Sequence, residues 1–156
     1  MTRTASRFLA AAAACVITAD TIGSRAGAQS LDLQTTCAGQ ADAAFQELGR
    51  ESKAVLESLN APFDITALNY QAHYSSKVAR CLLLVRKTLS VMRASSGTSY
   101  LIDAGDRRMY ALYVDMDGKM ESCTLIPSIQ DMRTCKDRNE FDAFVAVYMG
   151  KNHGEQ

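Results

Sequence analysis

The strand predictions start from one apolar stretch, VARCLLLVRKTLSVM, at residues 78–92. Its central residues 81–85, CLLLV, are continuously apolar and are bounded by Arg80 and Arg86, which is typical of a buried strand. By the two-residue period of a strand, one face carries Cys81, Leu83, Val85 and Leu89. Leu82 and Leu84 point to the other face, so we expect both faces of this strand to be covered near its centre.

Turn signals divide the residues that follow into further strands. Ser95-Ser96-Gly97 predicts a turn, while Ala104-Gly105-Asp106 and Asp117-Gly118 predict hairpins, and Asp117-Gly118 is the strongest such signal in the chain. The expected strands are 98–103, 107–115, about 120–126 and a short fifth one at 131–135. Since the connections between successive strands are short, we expect an antiparallel meander of four to five strands.

A long amphipathic helix is predicted before the strands. From about Thr36 to near Asn60, apolar residues recur three, four and seven positions apart, after a polar lead-in at 29–35. Its apolar face carries Cys37, Ala41, Ala44, Phe45, Leu48, Val55, Leu56 and Leu59. Residues 60–76 are predicted to form a connector whose apolar side chains pack onto the domain.

A short closing helix is predicted at the other end of the domain. Asp137 stands three residues before Glu140, as in a capping box, and Gly150 is a suitable C-cap. We expect both helices to cover the same face of the sheet. The predicted fold class is therefore α+β, with a long N-terminal and a short C-terminal helix in a domain of two layers.

The first 28 residues have the pattern of a secretory signal peptide. Arg3 and Arg7 precede the uncharged apolar run FLAAAAACVITA, residues 8–19, and Ala26-Gly27-Ala28 forms an A-x-A cleavage site. The run of 12 residues is too short to span a membrane. We therefore expect residues 1–28 to be removed on export.

Lipidation of Cys15 is the alternative processing route. Ala12 stands three positions before Cys15, where lipoprotein signals usually have leucine, so Cys15 is taken as a small apolar residue of the signal. The mature chain then begins at Gln29, with a single α+β domain at 29–150 and a flexible tail at 151–156.

Charge excludes one class of function. The whole chain has 17 basic and 17 acidic side chains, and the mature chain has 14 and 16. This balance argues against a nucleic-acid binder that neutralises phosphates. No segment after the signal is long and apolar enough for a membrane span.

The mature chain has four cysteines, Cys37, Cys81, Cys123 and Cys135. An even count in a small exported domain predicts two disulfides, which four cysteines can form in three ways. We favour Cys37–Cys81, because both residues lie on predicted core faces, and Cys123–Cys135, which would join neighbouring strands. No pair has the C-x-x-C spacing of redox sites, and no close Cys or His pair suggests zinc, so no cofactor is expected. The location indicated is the bacterial periplasm or the medium.

Four pieces of sequence together cover most of the mature chain. They are CAGQADAAFQELG from Cys37, HYSSKVARCLLLV from His73, LIDAGDRRMYALYV from Leu101, and CTLIPS from Cys123 followed by TCKDRNEFDAFVAVYM. In this order they resemble a set of small exported bacterial proteins of unknown function, in which Asn often stands at the position of Ser75. The resemblance implies export and disulfides, and it implies no activity.

His73 is the one histidine in the predicted domain and the candidate for acid–base chemistry, with Tyr74 and Lys77 close in sequence. In the structural alternative, Tyr74 packs in the core and His73 makes a hydrogen bond where the strand begins. No G-x-S-x-G elbow is present to support a serine nucleophile.

Three further groups of residues have a functional and a structural interpretation. Asp115, Asp117, Gly118 and Glu121 suggest calcium, but an EF-hand frame on Gly118 lacks both terminal carboxylates, so a hairpin is favoured. Arg107-Arg108 is interpreted as a solvated strand edge. Tyrosines at 100, 110 and 113 could line a binding surface, although core or cross-strand pairing is the simpler interpretation.

These patterns favour a non-enzymatic exported protein that binds a partner or serves the envelope. The partner is unknown, and an envelope or secreted protein is the expected class. The alternative is a small periplasmic enzyme in which His73 works with Tyr74 or Lys77. A third hypothesis is a structural envelope protein without a small ligand.

Overall fold

The structure of the protein is a computed structural model that describes residues 22–58, 63–91 and 94–150. Its elements are α1 (Ile22–Ser58), β1 (Phe63–Ser75), β2 (Arg80–Val91), β3 (Ala94–Asp103), β4 (Met109–Met116), β5 (Lys119–Ser128), β6 (Asp131–Thr134) and α2 (Arg138–Tyr148). Most of the predicted signal peptide and the predicted tail at 151–156 lie outside the described residues. No helix in the described ranges is both long and apolar enough to cross a bilayer.

The six strands form one antiparallel sheet in sequence order, which confirms the meander. The predicted count of four to five strands was too low. The additional strand is β1, which occupies most of the stretch predicted as a connector at 60–76. Its side chains alternate between apolar and polar in the order Leu68, Asn69, Tyr70, Gln71, Ala72, His73 and Tyr74. This period of two is the ordinary signal of a half-buried strand.

The turns follow the sequence signals at two of three places. Asp117 and Gly118 both have positive φ, +50° and +76°, as a type I′ hairpin requires. At the turn after β3, Asp103 Oδ1 accepts hydrogen bonds from the N–H groups of Gly105 and Asp106. The turn predicted at 95–97 is wrong, because these residues lie in β3, with Gly97 opposite Thr88 of β2.

The N-terminal helix is longer than its sequence period predicts. It begins at Ile22 rather than near Thr36, so the expected polar lead-in at 29–35 is helical. This lead-in contains neither Gly nor Pro, the two residues that most disfavour a helix interior. Cleavage after Ala28 would leave α1 starting at the new N-terminus.

The two helices lie on opposite faces of the sheet, so the domain has three layers and the prediction of two was wrong. Alternate residues of β2 enter two separate cores: Leu82 and Leu84 join the α2 core, and Leu83 and Val85 join the α1 core. The α2 core also contains Leu101, Ala111, Leu125, Phe141, Val145 and Tyr148. The α1 core also contains Cys37, Ala41, Ala44, Cys81 and Ile102. An apolar strand with two buried faces needs a covering layer on each side.

Both predicted disulfides are formed. Cys37–Cys81 joins α1 to the start of β2, with 5.1 Å between the Cα atoms. Cys123–Cys135 joins β5 to the residue after β6, with 5.3 Å between the Cα atoms. One disulfide therefore lies in the core on each face of the sheet.

The short helix α2 begins as predicted. The Asp137 side chain accepts a hydrogen bond from the Glu140 N–H at 2.9 Å, which satisfies one free donor of the first turn. The Glu140 carboxylate in turn accepts from the Lys136 N–H at 2.9 Å, one residue before the position of a regular capping box. These hydrogen bonds fix where the chain leaves the sheet.

Candidate functional site

The His73 side chain lies on the α2 face of the sheet, where β1 pairs it with Leu82. Its imidazole packs against Gly150 at the C-terminal end of α2, and Nε2 is 2.7 Å from where a Cβ on Gly150 would lie. Gly150 also has φ +67°, so this position requires glycine for two reasons. Burial lowers the pKa of His73, which favours the neutral imidazole. No hydrogen bond joins the imidazole to another described residue, in contrast to the expected structural hydrogen bond.

Tyr74 and Lys77, which were predicted to assist His73, make other contacts. Tyr74 points to the α1 face, and its N–H and C=O both bond to the Gln34 side chain of α1. The Lys77 ammonium lies 4.4 Å from the centroid of the Tyr148 ring, a cation–π contact. The sheet therefore separates Tyr74 from His73.

Aromatic side chains fill the core beside the end of α2. The Tyr110 and Tyr148 rings are 5.6 Å apart, and burial raises the pKa of both phenols. The Arg108 guanidinium lies 5.2 Å from the centroid of Tyr110. Neutral tyrosines in tilted pairs are typical of packing.

Arg107 connects the turn after β3 to α1, which sequence reasoning missed. It has φ +59°, and its guanidinium contacts the carboxylates of Glu47 and Glu51 on α1. These hydrogen bonds raise the pKa of Arg107, and the Glu51 charge adds to burial in raising the pKa of Tyr100. Arg107 therefore bridges the turn before β4 to α1 through solvent-exposed ion pairs, and it lies outside the strand in which it was predicted.

Two of the acidic residues considered for calcium, Asp115 and Asp117, contact β3 instead. Asp117 Oδ1 accepts from the Ser95 N–H at 2.8 Å, and the Asp115 carboxylate lies against Gly97, where a Cβ would come within 2.5 Å of it. Among the described residues, no group of three or more His, Cys, Asp or Glu side chains is arranged to hold a metal ion.

Within the described residues, neither helix covers the α1 side of β4, β5 and β6. Helix α1 packs on β1 and β2, whereas α2 packs on β4 and β5 from the other side. Strand pairing places four apolar side chains of β4 on the uncovered side, because they lie opposite Ile102, Tyr100, Thr98 and Ser96 of β3. We call them the β4 stripe: Met109, Leu112, Val114 and Met116.

The β4 stripe is accessible along its whole length. Met109 and Met116 are each 38% exposed, and Leu112 and Val114 are half-buried. On the same side of the sheet, Ile126 of β5 is half-buried and Met132 of β6 is 69% exposed. Hydroxyl groups of Thr98 and Thr124 flank the stripe. An adjoining apolar surface of this kind, bordered by hydroxyls, is suited to contact with another macromolecule.

The stripe is not the surface that the tyrosine pattern suggested. Tyr110 and Tyr113 are buried in the α2 core, and Tyr100 is half-buried beside α1. The signal that could have found the stripe is β4 itself, which is apolar on both faces in MYALYVDM. One short helix can cover only one of those faces.

Comparisons with known proteins assign the chain to no family. No family model, no curated protein and no solved structure matches it. None of these comparisons bears on the resemblance described above, which stays a prediction. Function is therefore inferred from the surfaces of this chain.

Proposed function

We propose that this protein is exported and binds a protein partner of the cell envelope or the medium through the β4 stripe. The observation that carries the proposal is the apolar, partly exposed face of β4 beside α1. Isolated apolar side chains are normal on protein surfaces, but an adjoining group of them marks an interaction surface. The proposal is a binding function and not a catalytic one.

Export to the periplasm or the medium is supported by the disulfides. Two crosslinks are formed, Cys37–Cys81 and Cys123–Cys135. Disulfides persist in oxidising compartments and are rare in the reducing cytosol. The predicted signal peptide and the resemblance to small exported bacterial proteins favour the same location.

The sheet holds the stripe in a fixed arrangement. The opposite face of β4 is packed in the α2 core, where the Tyr113 and Phe141 rings are 5.5 Å apart and Ala111 is fully buried. Hydrogen-bonded strands lie on both sides of β4. A surface that is already ordered loses little conformational entropy on binding, which favours affinity.

Affinity capture with charge substitutions tests the proposal. The exported protein is captured from periplasm, and co-purifying proteins and small molecules are identified by mass spectrometry. Met116→Glu places a charge on the stripe and should remove the bound partner. Val147→Glu is the matched control, because Val147 is an exposed apolar residue on α2. Loss of the partner in both variants, or in neither, would contradict the assignment of the stripe.

The enzyme hypothesis predicts a different result. An activity of the mature protein that His73→Ala abolishes while circular dichroism stays unchanged would favour it. Among the described residues, the imidazole packs on Gly150, and Tyr74 lies on the other face of the sheet.

A further inference from the structure

The two edge strands of the sheet differ in how they are protected. β6 has only four residues, and Asp131 and Arg133 place charges on it. β1 has 13 residues, of which Asp64 alone is formally charged. Short, charged edges resist pairing with another strand, whereas long, uncharged edges invite it.

The hydrogen bonds of Gln34 show which backbone N–H and C=O groups of β1 point away from β2. The Tyr74 N–H donates to Gln34 Oε1 at 2.9 Å, and Gln34 Nε2 donates to the Tyr74 C=O at 3.0 Å. The N–H and C=O of Tyr74 therefore point away from β2. Since these groups alternate along an antiparallel strand, those of Ala72, Tyr70 and Leu68 point outward as well. Within the described ranges, no hydrogen bond occupies them.

At each end of this stretch, the edge of β1 is unavailable for pairing with another strand. The Gln34 amide occupies the backbone of Tyr74. At the other end, the register shifts between Ile65 and Ala67, and the Thr66 hydroxyl donates to the Thr88 carbonyl at 3.3 Å. A bulge of this kind interrupts regular pairing. The open stretch is residues 67–73, which we call the β1 window.

We propose that the β1 window pairs antiparallel with the β1 window of a second copy, about a two-fold axis at Tyr70. In this register Leu68 lies opposite Ala72 of the second copy, and Asn69 lies opposite Gln71 of the second copy. The three outward-pointing residues of each copy form three pairs, and because each such pair exchanges two hydrogen bonds, about six form. A register shifted by two residues in one direction would need the backbone N–H and C=O of Tyr74, which are already bonded to Gln34. A shift in the other direction would need the backbone at the bulge between Ile65 and Ala67.

Charge complementarity favours a second copy in this orientation. Asp64 and Lys77 are the formally charged residues nearest to the two ends of the window. Antiparallel pairing brings Asp64 of each copy towards Lys77 of the other, whereas parallel pairing would bring Asp64 towards Asp64. Opposite charges attract, so the antiparallel orientation is favoured over the parallel one.

The position of α1 is compatible with this assembly. Because α1 packs on β1 and β2 of its own copy, a two-fold axis perpendicular to the sheet would place the two copies of α1 side by side on the same face. The β4 stripe lies towards the other edge and stays free, so this inference is independent of the proposed function.

Cysteine crosslinking tests the register. Asn69→Cys and Gln71→Cys are made separately in the exported protein, whose own four cysteines are paired. Both positions are exposed, and in the proposed register each faces the other across the interface. Mild oxidation of the mixture should give a covalent dimer, while each variant alone should give none. A mixture without dimer, or equal crosslinking of each variant alone, would overturn the proposal.

Sedimentation velocity provides the second readout. The unaltered protein should be a dimer, and Ala72→Pro should sediment as a monomer at the same concentration. The N–H that proline removes points away from β2, so the sheet within one copy keeps its hydrogen bonds. Circular dichroism checks that the fold is retained. A monomeric unaltered protein, or a dimer that Ala72→Pro leaves intact, would also overturn the proposal.

Discussion

Removing the Cys37–Cys81 crosslink should destabilise the fold more than removing Cys123–Cys135. The paired residues are 44 positions apart in the first case and 12 in the second. Loop-closure entropy gives upper values of about 4 and about 3 kcal/mol for loops of these lengths. The first crosslink also joins α1 to β2, and the ion pairs between α1 and Arg107 are solvent-exposed and worth little.

We expect the double variant Cys37→Ala and Cys81→Ala to lose roughly 2–4 kcal/mol of unfolding free energy, against roughly 1–3 kcal/mol for the other pair. Urea unfolding followed by circular dichroism, without reductant, measures both losses. The first variant should also exchange the amide hydrogens of α1 faster, because α1 then opens separately from the sheet. Equal losses in the two variants, or unchanged exchange in α1, would refute this account of the first crosslink.

Three further predictions concern processing, pH and backbone strain. The intact mass of the exported protein should correspond to a chain that begins at Gln29, and a mass that retains residues 1–28 or a lipid would contradict this. Burial lowers the pKa of His73 in the folded state. The contribution of the neutral imidazole to stability is therefore fully present above about pH 6.5, and it is lost as the pH falls through the folded-state pKa. Unfolding free energy should therefore decrease from pH 6.5 to 5 by at most about 1.4 kcal/mol per pH unit for this one proton, and His73→Gln should remove that decrease. Ala79 is exposed and has φ +51°, so Ala79→Gly should raise unfolding free energy by about 0.5–1 kcal/mol, whereas Ala38→Gly in the exposed face of α1 should lower it by about as much.

The Asp117-Gly118 hairpin, the start of α2 and the crosslinks were predictable because local signals determine them. The Asp117-Gly118 pair fixes a hairpin through its backbone conformation, and Asp137 fixes the start of α2 through one hydrogen bond. The pairing Cys37–Cys81 follows from two residues that share core faces. Each of these signals acts within a few residues or on one face of one element.

The layer arrangement was missed because it depends on the whole sheet. Leu82 and Leu84 were expected to be covered, but which helix covers them depends on where each chain segment leaves the sheet. β1 was missed for a different reason, because its alternation is carried by half-buried residues such as Ala72 and Tyr74 and not by a strongly apolar run.

The candidate site was missed because packing decides which face of β4 a helix covers, although the sequence of β4 is apolar on both faces. The β4 stripe is exposed because α1 packs mainly on β1 and β2 and α2 lies on the other face. No residue of the stripe has chemistry that marks it in the sequence. By contrast, His73 was conspicuous by its residue type, and the structure places it against Gly150.

Site-specific photo-crosslinking in living cells tests the binding role of the β4 stripe most directly. A photoreactive amino acid replaces Met116 on the stripe or Val147 on α2, both of which are exposed apolar residues on different faces. Adducts to one partner protein from position 116, absent from position 147, are the predicted result. Adducts of equal yield from both positions, or none from position 116, would contradict the assignment of the β4 stripe as the binding surface.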